Sequence, residues 1–536
     1  LTIYPSQILY DYGTSSSTTK ASPMLLYRLS AFAFFLFSPS VSSFGPPSLP
    51  DSNSIRRITE LAMAEEKTTT PETKKPEDAT DNNPLKTKKF ESEHSLGELK
   101  YKAVADWITL RKIHKPVAEM FYTAYLLQSE ETDTDVSSRP ITFVFNGGPG
   151  AASAYMHMGA AGPKRVQFGT HGELPPPPTR VVDNDETWLG FTDLVFIDPI
   201  GTGFSRALDQ SKKAKQADEE EGKGPQENPE FWDIDKDLDS LGEFIRRFLS
   251  QYGRWESPIF IAGESYGGYR VAKLARRLQD GYGVGLNGAI LISPALEVDA
   301  LTGNDYDLTY FLETLPAYAA TAWHHEKGMH HNGKQELETV LQEAETFVRD
   351  DLSRWLTVGD VLDSKEIERI AQKMSDLIGI DPSFLQRANG RIDSTTFVRE
   401  LLRKERKLCG HYDASLTTVD PYPDRPTYEG PDPTLAAIDR YFTGAIHQQL
   451  LGTLGVETEL DYQMLRLDIN GKWKDEKRKH VFAKTQGSMD DLRYGMSLNE
   501  HMKVFVCHGT YDLVTPYFHS ERLVGLMKLT EQQKQK

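Results

Sequence analysis

Cysteine is almost missing from this chain. Two residues, Cys409 and Cys507, serve 536 positions, so a disulfide framework is excluded and one bridge is the most that can form. Two scattered cysteines fit small buried apolar side chains, and no Cys-x-x-Cys spacing marks a zinc site. Positive charge is also short: 61 Lys and Arg stand against 78 Asp and Glu, a formal net charge of −17. A surface of that sign repels phosphate backbones, so nucleic acid is not an expected partner, and solubility is the plainest use of the charge. Long apolar runs are missing too. The run near the start, Leu29 to Phe37, falls well short of the roughly 20 residues that a spanning helix needs, so stable membrane association is not expected. No internal repeat is evident.

The chain opens on Leu1 rather than on a methionine, and the expectation is a sequence that is incomplete or read from too early. Met24 offers a start with a signal-like pattern. Arg28 is its positive region, Leu29 to Phe37 its apolar region, and Ser42 and Ser43 its small residues before a cleavage point. That pattern over Met24–Ser43 points to the secretory pathway, outside the cell or in a vacuole- or lysosome-like compartment. The phenylalanine after the small residues also resembles plastid-import presequences of some algae, and a start at Met63 would leave the product in the cytoplasm. Residues 46–94 are rich in Lys, Glu, Thr, Pro and Asp. Too few large apolar side chains are present there to offset the entropy of ordering, so a disordered linker is expected.

From Leu96 the pattern changes. Tyr101 to Leu110 and Ala118 to Leu127 read as an antiparallel pair. Short apolar runs follow at Ile141–Phe145, Asp193–Asp198, Pro258–Ala262, Leu286–Ser293 and Lys503–Cys507. Helical periodicity lies between them at Asp237–Tyr252 and Tyr269–Leu278. Fully apolar strands alternating with helices indicate a parallel sheet covered on both faces, an α/β fold. Residues 209–230 are a charged low-complexity insertion, read as a solvated loop, and Pro175 to Pro178 read as a rigid turn. Residues 301–495 lose the alternation, and Gln335–Leu356 and Ser364–Ile378 carry helical periodicity. The division expected is a signal-like segment and linker at 1–94, a core at 95–300, a mainly helical cap at 301–495 and a second, incomplete piece of core at 496–536. A cap of this kind commonly sits over an active site.

Three stretches carry chemistry. Gly263-Glu264-Ser265-Tyr266-Gly267 follows an apolar run and opens a helical one. A Gly-x-Ser-x-Gly turn there is sharp, so that the serine stands clear of the sheet as a nucleophile. The bland alternative is a tight turn holding an ordinary serine. Asn146-Gly147-Gly148-Pro149-Gly150 also follows a strand. Acyl transfer builds negative charge on a carbonyl oxygen, and preorganised N–H groups in a glycine loop stabilise it. One donor comes from such an early loop and the other from the residue after the nucleophile, which assigns Gly148 and Tyr266. Asp512 follows the last apolar run, where an acid orients the catalytic histidine. His324, His325, His330 and His331 cluster as well. No carboxylate or thiol sharpens them into a metal site, so a solvated loop or helix face is expected. The aromatic group Tyr310, Phe311, Tyr318 and Trp323 reads as cap core.

Four segments in this order resemble the serine carboxypeptidase family, peptidase family S10, and its bacterial-type branch most. They are FNGGPGAASAYMHMGAAGPKRV (145–166), DNDETWLGFTDLVFIDPIGTGFSR (183–206), FIAGESYGGYRVAKLA (260–275) and VFVCHGTYDLVTP (504–516). The resemblance implies an α/β-hydrolase fold with a helical cap and a serine-type carboxypeptidase acting on peptide or protein C-termini through an acyl-enzyme on Ser265. No metal or organic cofactor is called for. It implies that Asn146 and Glu264 hold the substrate's terminal carboxylate, Glu264 in its protonated form, which a raised pKa and an acidic pH favour. The family's second glutamate is replaced by Ala160, and the tryptophan two residues before the asparagine by Val144. Both departures bear on how strictly a C-terminal residue is selected. The family's histidine lies several tens of residues beyond the aspartate, whereas the sequence stops at Lys536. His508 and His519 stand nearby and neither is assigned. As written, the chain is expected to lack its base and to be largely inactive. An acyltransferase or esterase on the same machinery, and a non-catalytic binding protein, are the alternatives.

Overall fold

The computed structural model describes residues 4–5, 89–128, 138–169, 172–208, 229–330, 335–425, 428, 430–478, 480 and 485–535. The chain divides into two compact units, residues 1–36 with 87–536 and residues 37–86, and every described residue belongs to the first. The signal-like segment, the linker up to residue 88 and the insertion at 209–228 lie outside the described residues.

Three strands open the fold as an antiparallel meander: β1 (Phe90–Leu96), β2 (Leu99–Lys112) and β3 (Lys115–Leu127). Five more follow, β4 (Ile141–Phe145), β5 (Asp193–Ile197), β6 (Ile259–Glu264), β7 (Gly288–Ile292) and β8 (Lys503–His508). They form one mixed sheet in the order β8-β7-β6-β4-β5-β3-β2-β1. The run from β8 to β5 is parallel, and β5 meets β3 antiparallel. Two short pieces, Tyr4–Pro5 and Arg206–Ala207, pair with β8 and β3. Every residue of β4 and β5 is buried. Runs such as Ile-Thr-Phe-Val-Phe are apolar on both faces because helices cover both sides of a parallel sheet. Helix α1 (Ile234–Gln251) turns Leu238, Leu241, Phe244, Ile245 and Phe248 inward, and its N-cap Asp233 accepts from the Asp235 and Lys236 amides. Helix α2 (Tyr266–Gly281) leaves directly from Ser265.

Two boundaries differ from expectation. Strand β1 begins inside the segment expected to be disordered up to residue 94 and runs on to Leu96. Only Phe90 and Leu96 are fully buried in it, so its sequence reads as polar. A complete backbone ladder to β2, from Phe90↔Ala105 to Leu96↔Leu99, holds it as an edge strand. At the other boundary, α7 (Met489–Leu498) begins within the expected cap and crosses its end at 495, and it buries Met489, Leu492 and Met496 in the sheet's own core. Gly495 lets it approach α2, since a Cβ there would stand 2.6 Å from the Ala275 carbonyl oxygen.

Between β7 and α7 the chain is mainly helical. Helices α3 (Thr309–His324), α4 (Leu337–Phe347) and α5 (Ser364–Ile378) pack around a separate cluster that holds Tyr310, Phe311, Tyr318 and Trp355, with Trp323 partly buried against it. A two-stranded hairpin, Lys407–Cys409 with Thr417–Val419, joins them. Helix α6 (Pro433–His447) packs instead on the side of the sheet that buries Tyr155 and Tyr125, and its Tyr441 hydroxyl donates to the Pro175 carbonyl of the expected proline turn. Helix α8 (Tyr517–Leu526) follows β8. The histidine cluster is not wholly solvated, because His330 is buried and bonded to the Leu377 carbonyl. His325 is bonded to the Ala414 carbonyl, and His331 lies outside the described residues. Cys409 and Cys507 are both buried and unbridged.

Candidate active site

Strands β4, β6, β7 and β8 run parallel side by side, so the loops after their C-terminal ends share one edge of the sheet. That edge gathers Asn146 to Gly150, Ser265, Ser293 and Asp512. Ser265 sits at the junction of β6 and α2 with φ 57° and ψ −121°. A non-glycine residue held there stores strain of order 1–3 kcal/mol. Its amide donates to the Ile292 carbonyl, and its carbonyl accepts from Gly268, Tyr269 and Ala295. The flanking glycines are sterically required. A Cβ at Gly263 would stand 2.2 Å from the Gly267 carbonyl oxygen, and one at Gly267 would stand 2.6 Å from the Phe145 carbonyl oxygen.

The Asn146–Gly150 loop packs directly on this turn. A Cβ at Gly147 would meet the Tyr266 amide nitrogen at 2.6 Å, and Gly148 has φ 102°. Asn146 and Glu264 are both fully buried, and Asn146 Nδ2 donates to Glu264 Oε2 at 3.0 Å. Asn146 Oδ1 accepts from the Met156 amide at 2.9 Å, which fixes which way its amide group faces.

Two residues whose part motif reading missed hold this loop and the turn that follows it. Arg270, one turn into α2, donates from Nη1 to the Asn146 carbonyl (2.8 Å) and the Gly147 carbonyl (3.3 Å), and from Nε to Asp237 Oδ2 of α1 (2.7 Å). Both charges are buried. The sequence signal was an arginine among Tyr266, Tyr269 and Val271 on a buried helix face. Asp198, just after β5, accepts from the Ser153 amide (2.9 Å) and the Tyr462 hydroxyl (3.2 Å), and burial pushes its carboxyl up to about 7.

Asp512 is fully buried. Its Oδ1 accepts from the Val514 and Thr515 amides and its Oδ2 from the Thr515 hydroxyl at 2.7 Å. Thr515 Oγ1 lies 2.9 Å from the Ser293 carbonyl, which ties the loop to the end of β7. Burial pushes the Asp512 carboxyl up to about 7 against these bonds. His508 is bonded through Nδ1 to the Thr515 carbonyl, and burial pulls its imidazole down to about 3. His519 is bonded through Nδ1 to Glu313 Oε2 of α3 at 2.7 Å, and Glu313 also receives Arg522. Neither imidazole bonds Ser265, because both Nε2 atoms are buried without a hydrogen-bond partner. An open groove of about 930 Å³ lies elsewhere, along α1 and β2, lined by Arg111, Arg246, Arg247 and Trp255, and shares no residue with these loops.

The strand order and the serine at the β6–α2 turn define the α/β-hydrolase class. A family model described as serine carboxypeptidase matches residues 96–536, and the chain belongs to that family, peptidase S10. Among curated relatives, a retinoid-inducible serine carboxypeptidase of Rattus norvegicus is 28% identical over 179 residues, 33% of this chain and 32% of that protein. Serine carboxypeptidase-like 47 of Arabidopsis thaliana is 26% identical over 174 residues, 31% of this chain and 27% of that protein. A pheromone-processing carboxypeptidase of Phaeosphaeria nodorum is 30% identical over 135 residues, 25% of this chain and 17% of that protein. The matched segments thus span about a third or less of these relatives' lengths. Solved structures with some likeness include the rice cell wall degrading esterase LipA of Xanthomonas oryzae (12% identity, TM-score 0.23, 67% of this chain and 87% of that one). Another is the peroxisomal alpha-beta-hydrolase Lpx1 of Saccharomyces cerevisiae (12% identity, TM-score 0.22, 38% and 46%). Among the described residues no helix is long and apolar enough to cross a membrane.

Proposed function

We propose that the chain is a serine-type carboxypeptidase that removes C-terminal residues from peptides or proteins through an acyl-enzyme on Ser265. The observation that carries this reading is the strained serine at the β6–α2 turn with the Asn146–Gly148 loop packed against it. Ser265 Oγ attacks the last peptide carbonyl, and the Gly148 and Tyr266 amides receive the oxyanion. The step needs a histidine beside Asp512 to take the serine proton and return it to the leaving amine, and among the described residues no histidine bonds Asp512. That histidine is neither His508 nor His519, whose Nδ1 atoms are committed elsewhere. Water then resolves the acyl-enzyme. Asn146 donates to the substrate's terminal carboxylate, and Glu264 does so in its protonated form. The Met24–Ser43 pattern supports delivery through the secretory pathway.

Ala160 and Val144, standing where the family carries a glutamate and a tryptophan, favour a second reading, an esterase or acyltransferase on the same machinery. Release of free amino acid from a blocked dipeptide separates the two. The peptidase reading expects release that Ser265→Ala abolishes. Ester turnover with no amino acid released contradicts it. Absence of fluorophosphonate labelling in the folded full-length protein would instead favour a binding protein.

A further inference from the structure

Between α6 and α7, the chain crosses the Asn146–Gly150 loop. Gln463 and Leu465 form antiparallel backbone bridges to Gly203 and Ala151. The Arg466 amide donates to the Gly150 carbonyl at 2.8 Å, and the Ala152 amide donates to the Met464 carbonyl at 2.9 Å. A short helix, Leu467–Lys472, follows. On it, half-buried Asn470 donates from Nδ2 to the Gly148 carbonyl at 3.2 Å. Just beyond, Trp473 donates from Nε1 to the Tyr266 hydroxyl at 2.9 Å. The Lys474 amide donates to the Trp232 carbonyl, and its own carbonyl accepts from the Ile234 amide. Backbone bonds therefore anchor this stretch both before and after Asn470.

Gly148 joins two peptide units. The unit before it carries the Gly147 carbonyl and the Gly148 amide, and Arg270 holds that carbonyl at 3.3 Å. The unit after it begins at the Gly148 carbonyl, which Asn470 holds. Gly148, at φ 102°, has no side chain to restrict its own rotation. Peptide units are planar, so holding both carbonyls sets the direction of the N–H between them. A hole of this kind works through donors aimed before the reaction begins. On the acyl-enzyme reading the Gly148 amide receives the oxyanion, and the role of Asn470 rests on that reading. We propose that Asn470 is a positioning residue for the oxyanion hole, fixing the peptide unit after Gly148 so that its amide points at the scissile carbonyl oxygen. Arg270 holds the loop from the helix behind the nucleophile, and Asn470 holds it from the helical insertion. The insertion thus takes part in the chemistry as well as in covering the sheet.

The test uses the full-length protein and its rate of labelling by a fluorophosphonate. Attack of Ser265 on phosphorus puts charge on the phosphoryl oxygen, which the same two amides receive, and fluoride leaves. Asn470→Ala is expected to lower the labelling rate constant about tenfold or more. Asn470→Asp keeps the side chain's size but removes the donor, and is expected to lose at least as much. For amino acid release from a blocked dipeptide, kcat is expected to fall by a similar factor, with KM within about twofold of the parent. A purely structural role would reduce the fraction of protein that labels, while the folded fraction reacted at the parent's rate. A parent-like rate constant in either folded variant overturns the proposal, and so does a loss confined to KM. Loss of folding in both variants assigns Asn470 to the fold rather than to the hole and overturns it as well. No labelling of Ser265 in the parent overturns the acyl-enzyme reading, and this role for Asn470 with it.

Discussion

Ser265 is held at φ 57° by contacts on every side of its peptide units, and the glycines beside it leave no room for a side chain. Gly267→Ala drives a methyl into the Phe145 carbonyl, a backbone atom that β4 pairing prevents from retreating. That substitution is expected to destabilise the fold by several kcal/mol, on the order of 2–4, and to abolish fluorophosphonate labelling. Thermal melts and labelling on the same preparation check both. This much was legible in the sequence, because a short apolar run, a Gly-x-Ser-x-Gly and a helical period occur within about twenty residues. The Asp439–Tyr155 contact was not, since 284 positions separate the pair and Asp439 stands in none of the segments that carry the resemblance.

Arg270 and Asp237 link α1, α2 and the Asn146–Gly148 loop through one buried ion pair. Removing one member strands the other charge in the interior, which costs about 3–5 kcal/mol. Arg270→Met is therefore expected to lower the melting point strongly, with Asp237→Asn introduced on top recovering part of the loss. Recovery is the informative arm, because it shows that the stranded carboxylate carries the cost. A melting point for Arg270→Met equal to that of the parent contradicts this assignment. The helices themselves were readable from their 3.6-residue period and the central strands from their apolar runs. Strand β1 was not readable, because an edge strand with two buried side chains rests on its backbone ladder, which leaves no hydrophobic signature.

Across the whole molecule, four buried groups set opposing pH dependences. Asp198 and Asp512 are raised to about 7, so in the folded state they hold protons that the unfolded chain has released. Each therefore contributes a stability that declines as pH rises from about 4 through 7. His157 and His508 are lowered to about 3 and stay neutral when folded, so each adds stability that is lost as pH falls from about 6.5 through 3. The two trends offset one another between about pH 4 and 6.5. Asp512→Asn removes one side of the balance. Its backbone bonds survive, because Oδ1 still accepts from Val514 and Thr515. The variant is expected to exceed the parent by about 2–4 kcal/mol at pH 8 and to match it near pH 4. Denaturant melts at the two pH values read this directly, and a variant less stable at pH 8 contradicts the burial cost assigned to Asp512. At this scale the sheet and the helical insertion were legible as a change of periodicity, while α7 was assigned to the cap because only its packing on α2 shows where it belongs. The central claim is that Ser265 is the nucleophile that releases a C-terminal residue. The most direct measurement exposes the full-length protein to a fluorophosphonate, maps the adduct by mass spectrometry and follows amino acid release from a blocked dipeptide in parallel. An adduct on Ser265, accumulating at the rate at which release is lost, is the predicted result. An adduct on another residue, or release that persists after Ser265 is fully modified, would contradict it.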